Sequence, residues 1–365
     1  NGWRPPRPHN RPLHAEQDPE VMIRTIGSLV TLALACASPA QAHPIPASKQ
    51  WLNYEGQEDL PGSGKLIILV AAEQEYRSEQ SMPMLARMLS KHHGFDCTVL
   101  FAQRDGMVDP TQSTPPEKDD EDVKFHDIPG LEHLARADLM ILFNRFMTLP
   151  KEQLAHLINY LDSGKPLIGI RTANHGFSGR FPYKVNGKNV RFGDDVLGGA
   201  FRGHHGGWHR ESTRGIVVDE NQGHVILRGV TDVWGPSDVY RTYGKDKSLP
   251  ERCTALLLGQ PLTGLNHDDP PNEKKIPLPI AWTTTWTGST GNTARVFHVT
   301  MGSARDYQSA GLRRLTTNAA YWCLALEEQI KPDSNVDIVG AYKPLKSGFN
   351  YKQLGVIPHP PHHYQ

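Results

Sequence analysis

Cysteine is scarce: four among 365 residues, with no CxxC pair, which excludes a disulfide framework. Neither sign of charge prevails, since Lys+Arg and Asp+Glu both number 39. Without a net field, and without a long run of Lys and Arg, nothing marks the chain as a binder of DNA, RNA or anionic lipid. No apolar stretch is long enough for a stable bilayer-spanning helix. No internal repeat is present, so solenoids and propellers are excluded.

Histidine, by contrast, is abundant at 18, and Gly (33) and Pro (29) suit a loop-rich enzyme or binding protein better than a helical bundle. Near the amino end, Met22-Ile23-Arg24 opens a short basic segment. An apolar run from Ile26 to Ala37 follows, and Ala40-Gln41-Ala42 supplies a small-x-small cleavage pattern. These features predict a signal peptide over about 22–42, a mature chain beginning at His43, and a periplasmic or secreted location. Residues 1–21 read as an upstream extension. Removal of the leader leaves Cys97, Cys253 and Cys323, for which buried thiols are the default and one bridge stays open.

The remaining chain alternates strands and helices. Lys65–Ala72 is a continuous apolar run, as expected of a strand buried on both faces of a parallel sheet. Ser81–His93 has helical spacing and stops at Gly94, a suitable residue just past a helix end. Phe95–Ala102, Asp138–Phe143 and Pro166–Arg171 read as further strands, with a helix from Pro150 to Leu161 between the last two. Thr213–Asp219, Cys253–Gln260, Pro279–Trp286 and Arg295–Met301 are strand-like, and Ser309–Glu328 closes as an amphipathic helix. Residues 43–64 form a lead-in, 103–130 a solvated acidic insertion, and 331–365 a tail over the surface. The pattern predicts an α/β fold, a flavodoxin-like doubly wound and mostly parallel sheet with helices on both faces, over 65–330.

Three segments resemble one family. They are Ala71–Leu89 (AAEQEYRSEQSMPMLARML), Pro166–Phe177 (PLIGIRTANHGF) and Ala294–Ser303 (ARVFHVTMGS). In order and spacing they are similar to ThuA-like proteins, named for trehalose utilisation, within the class I glutamine amidotransferase-like superfamily. The resemblance implies that fold and a carbohydrate substrate. Where amidotransferases carry a cysteine nucleophile at an elbow, this chain has Arg171, and a guanidinium cannot attack an amide. Many ThuA-like proteins carry a His there, and a His where this chain has Ser303.

Ligands of open parallel sheets bind beyond the carboxyl ends of the strands, at the switch in strand order. That rule gathers Glu73–Glu79, Asn144-Arg145, Arg171–His175 and Thr300–Arg305. Glu75, Arg171 and His175 are the expected catalytic groups, with Glu75 or His175 as acid–base residue. Arg77, Glu79, Asn144, Arg202, Trp208 and Ser303 are the expected substrate-binding groups. The alternative is an ordinary Arg–Glu network that orders the loops.

His204, His205 and His209 stand within six residues and could hold a divalent metal such as zinc, with His175 or a Glu completing the shell. Sugar-binding or loop-capping histidines fit the same pattern. Gly206-Gly207 rules out a helical zincin arrangement. Trp208, Trp234, Trp282 and Trp286 could stack on sugar rings or pack in the core. No nucleotide cofactor is expected. The expected partner is a small-molecule carbohydrate, with no nucleic acid and no membrane after signal removal; a homo-oligomer is compatible with the sequence. The function expected is a carbohydrate hydrolase or isomerase without glutaminase activity, the alternative being a non-catalytic sugar-binding or accessory protein.

Overall fold

The strands of the main sheet are, in chain order, β1 (Trp51–Tyr54), β2 (Leu66–Ala72), β3 (Asp96–Phe101), β4 (Leu139–Asn144), β5 (Leu167–Ile170), β6 (Thr213–Val217), β7 (Trp234–Gly235), β8 (Thr254–Pro261), β9 (Leu278–Thr287) and β10 (Thr293–Val299). This computed structural model describes residues 1–2, 43–112, 126–177, 181–242 and 249–365. The expected leader and the acidic run Asp119–Asp122 lie outside the described residues.

Spatially the order is β1-β3-β2-β4-β5-β10-β9-β8-β6-β7. The central five, β3-β2-β4-β5-β10, are parallel. Numbered by their own sequence order they run 2-1-3-4-5, the flavodoxin-like arrangement. Antiparallel strands extend it at both edges: β1 beside β3, and β9, β8, β6 and β7 beyond β10.

Burial on both faces explains the unbroken apolar run of β2. Ile67, Leu69 and Ala71 enter one core, and Leu66, Ile68, Val70 and Ala72 enter the other. Helices α1 (Ser78–His93) and α3 (Ala310–Cys323) cover the first face, and α2 (Lys151–Asp162) covers the second. Each fully buried Leu or Ile stabilises this packing by about 1.5–3 kcal/mol relative to exposure.

One expectation needs correction. Helix α1 starts at Ser78, three residues before the expected Ser81, because Pro83 and the polar RSEQ stretch mask its first turn. The lead-in and tail are parts of the fold, since one compact unit runs from His43 to Gln365. Within it, β1 pairs with β3, and the tail bonds back to the loop after β2 through Gly348 N donating to Glu75 O at 2.9 Å. Among the described residues, no helix is long and apolar enough to cross a membrane.

Candidate active site

The switch in strand order falls between β2 and β4, so the loop leaving β2 is where a site is expected. Its shape comes from its own polar groups. The Glu73 carboxyl accepts from Glu75 N at 2.9 Å and from Tyr76 N, and Ser78 Oγ accepts from Glu73 N at 2.9 Å. Arg77 then turns the chain into α1 with φ of 64°. This turn presents the Glu75 side chain to the loop around His209.

Glu75 Oε1 accepts from Trp208 Nε1 at 2.7 Å and pairs with His209 Nε2 at 3.2 Å; Arg145 Nε lies 3.7 Å from Oε2. Burial alone would raise the Glu75 pKa. The hydrogen bonds from His209 and Trp208, with the charges of Arg145 and Arg171, outweigh it and hold this carboxyl below its usual range. Glu75 is therefore an anion at neutral pH.

Arg171 sits at the elbow after β5 with φ of 41°, so the sharp turn expected there exists with a guanidinium in it. Its side chain is 0% exposed and lies between two aromatic faces, 4.0 Å from the Tyr76 ring centroid and 4.2 Å from that of Tyr240. One terminal nitrogen donates to Thr300 O at 2.7 Å, and the other to Asp238 Oδ1 at 3.0 Å. Arg171 is thus a strut within the protein: it was expected among the catalytic groups, but its guanidinium is fully buried and committed to internal partners.

The other oxygen of Asp238 completes the arrangement: Oδ2 lies 2.7 Å from His204 Nδ1. Arg171, Asp238 and His204 form a line from the sheet to the surface, buried at one end and 39% exposed at the imidazole. Asp238 is itself held from behind. Asp306 accepts from the backbone of Gly302 (2.8 Å), Ser303 (2.9 Å) and Ser237 (3.0 Å), and from Ser237 Oγ (2.5 Å). Gly302 makes this turn feasible, for its φ is 134° and a Cβ there would meet Ile170 Cγ2 at 2.3 Å.

The nearest large cleft, about 900 Å³, is lined by His175, Phe201, Phe146 and Arg202 among others. His175 bonds Asn174 Oδ1 through Nδ1 at 2.8 Å. Burial, reinforced by Arg145 and Arg171, pulls its pKa well below the usual imidazole range, so it is neutral at pH 7. Ring contacts continue from Phe146 through His175, Phe201, His204 and Trp208 to His209, with centroid spacings of 5.0, 4.7, 5.2, 6.1 and 4.2 Å. This aromatic ridge joins the cleft to Glu75.

The other expected site residues divide. Trp208 is 43% exposed and offers a face to the surface. Arg202 lines the cleft but is bound by both oxygens of Asp194 at 2.7 Å. Asn144 is buried against Gly176, and Ser303 is buried as a partner of Asp306, so neither reaches the cleft. Arg77 is buried under the tail and donates to Gln74 O (2.6 Å) and Gly348 O (2.5 Å). Trp282 and Trp286 are core residues, and Trp234 lies beside His267.

The expected three-histidine metal shell is not assembled. His204 turns to Asp238, His209 to Glu75, and His205 Nε2 to Ile276 O at 2.9 Å. Among the described residues no group of three His, Cys, Asp or Glu side chains is placed to hold a metal ion. Sequence reasoning missed Asp238 and Tyr240, which sit in a short loop-like stretch (SDVY) with no pattern to single them out.

Glu79 is also buried under the tail, with Oε2 unpartnered, and burial raises its pKa to about 7 despite the opposing charge of Arg77. A group whose folded pKa exceeds its unfolded one stabilises fully below the unfolded value, about 4.5, and loses that stabilisation as pH rises through about 7. Glu79→Gln is therefore expected to flatten the fall in unfolding free energy between pH 4.5 and about 7, by on the order of 2 kcal/mol. Urea titrations at several pH values check this; an unchanged slope would contradict it.

The sequence profile of one family, described as trehalose utilisation, matches residues 67–323. The chain belongs to the ThuA family. That membership supports a carbohydrate-related role for the ThuA chain. Among solved structures it is similar to a ThuA-like protein of Parabacteroides merdae, at 13% identity and a TM-score of 0.46, covering 78% of this chain and 95% of that one. It is also similar to a ThuA-like protein of Bacteroides uniformis, at 15% identity and a TM-score of 0.44, covering 75% and 96%. No curated protein sequence matches it.

Proposed function

We propose that this ThuA protein is an exported enzyme that moves protons on a sugar or keto-sugar, in a hydrolysis or an isomerisation, with His204 as its acid–base group. The observation that carries the reading is the bond between His204 Nδ1 and buried Asp238, itself pinned by Arg171. A carboxylate that holds Nδ1–H fixes the tautomer and leaves Nε2 to accept or return a proton; Nε2 has no partner among the described residues. Asp238 also stabilises the imidazolium formed in that step. Ionised Glu75 supplies a second charge, suited to a developing positive centre or a substrate hydroxyl. His175, previously expected as an alternative base, is neutral and faces the cleft as a hydrogen-bonding and packing group. Arg202, which lines the cleft, is assigned to orienting substrate oxygens there.

A carbohydrate fits the exposed face of Trp208, which can stack on a sugar ring while its N–H stays on Glu75. Trp208→Ala is expected to weaken sugar binding about tenfold, read as a rise in KM or Kd. Export is supported by the leader pattern and by a compact unit that starts at His43, the expected first residue of the mature chain. Glutamine hydrolysis forms no part of the proposal. Cys97 and Cys323 are buried with raised thiol pKa values, and Cys253 is raised by burial too. No ammonia release from glutamine is expected.

The test is a turnover screen on disaccharides and their 3-keto derivatives with the mature chain. Conversion of at least one supports the enzyme. Thermal stabilisation by a sugar without conversion of any would favour a sugar-binding protein instead.

A further inference from the structure

We infer that a second cavity, with His209 in its wall, is a subsite for an anionic group of the substrate, a phosphate ester or a carboxylate. The inference rests on the reading of Glu75 and its neighbours as part of the substrate site. This cavity, about 370 Å³, is lined by His209, Arg305 and Lys346, with Asn266 and Ser347 adding polar groups. Three basic side chains from three separate segments converge there, and no Asp or Glu is among its lining residues.

Neither the Arg305 guanidinium nor the Lys346 ammonium has an ion-pair or hydrogen-bond partner among the described residues, in contrast to the bound Arg77, Arg145, Arg171 and Arg202. Gathering like charges in a concave site without a counter-charge costs free energy, and an anion would offset it.

The backbone that carries these groups is fixed. Ala304 N donates to Tyr76 O at 2.9 Å and Ala304 O accepts from Tyr342 at 2.6 Å, which anchors Arg305. Arg77 Nε donates to Lys346 O at 3.4 Å, and Arg77 also bonds Gly348 O, which anchors the tail on either side of Ser347. The tail glycine lies against the imidazole, where a Cβ on Gly348 would stand 3.3 Å from His209 Cε1. The buried arginine thus has a role distinct from the substrate contact expected of it: it holds the strap that brings Lys346 to the cavity. His209 spans both places, with one nitrogen on Glu75 and its ring at the cavity wall. The charge of Glu75 is met by Arg145, His209 and Trp208, so it does not cancel the cations beyond.

A substrate bound across the ridge would place a neutral sugar ring on Trp208 and an acidic substituent between Arg305 and Lys346. The subsite then selects for acidic sugars over neutral ones.

Calorimetric titration of the mature protein with inorganic phosphate and, separately, with D-gluconate tests this without relying on turnover. Saturable binding of either probe is expected, weakened at least about tenfold by Arg305→Ala or by Lys346→Ala and largely retained in Lys346→Arg. His204→Gln should bind the probe as the wild type does, so a failed acid–base assignment would not disturb this result. Tight phosphate binding would point to a phosphate ester, and gluconate binding alone to a carboxylate. Absence of binding by both probes, or equal affinity in both alanine variants with circular dichroism unchanged, would overturn the inference.

Discussion

His204→Gln is expected to lower turnover by about a hundred- to ten-thousandfold while leaving the urea midpoint nearly unchanged. The side chain is 39% exposed, and its removal opens no core cavity, so a large loss of rate with little loss of stability would locate its role in chemistry. Asp238→Asn should produce a comparable loss by a different route. The amide cannot stabilise the imidazolium and can favour the wrong tautomer, a change that costs about ten-thousandfold in serine protease triads. Unlike His204, however, Asp238 is buried and paired with Arg171, so its variant should also be less stable. The two readouts separate the roles. Equal activity of His204→Gln and wild type would remove His204 from the mechanism.

Arg171→Leu is expected to destabilise the protein by about 3–5 kcal/mol, the usual cost of removing one partner of a buried ion pair. Three losses coincide at that position. Asp238 would keep a buried charge with only His204 beside it, Thr300 O would lose its donor, and the Tyr76 and Tyr240 faces would no longer enclose a guanidinium. The φ of 41° is no worse for Leu than for Arg, so backbone strain does not confuse the comparison. Arg171→Leu combined with Asp238→Leu should be less destabilised than the two single changes summed, because no unpaired charge remains. A loss below about 1 kcal/mol for Arg171→Leu would show that the pair contributes little net stability.

The fold was legible because its central strands are apolar on both faces. Leu66–Ala72, Leu139–Asn144 and Leu167–Ile170 stand out as runs, and each lies within two residues of its expected bounds. The edge strand β1 was not, since Trp51–Tyr54 is short and only its Leu52 is fully buried. At the site, the elbow and the His204–His209 loop were legible as motifs, and the strand-end rule brought the right loops together. What each side chain touches was not. Arg171 and Arg77 look the same in sequence as cationic substrate clamps, yet both spend their charge on internal carbonyls or a buried carboxylate. Whether three clustered imidazoles converge or diverge depends on φ values such as 55° at His209 and 127° at Gly203, which no spacing encodes. Asp238 becomes visible only when the antiparallel extension folds its loop over the elbow.

Chemical rescue tests whether an imidazole held by Asp238 transfers the proton. Turnover of His204→Gly would be measured on the sugar that the wild type converts, with and without added imidazole. An inactive variant is expected, whose activity returns in proportion to imidazole and to its unprotonated fraction, rising through about pH 7. Turnover by His204→Gly at the wild-type rate without imidazole would contradict it.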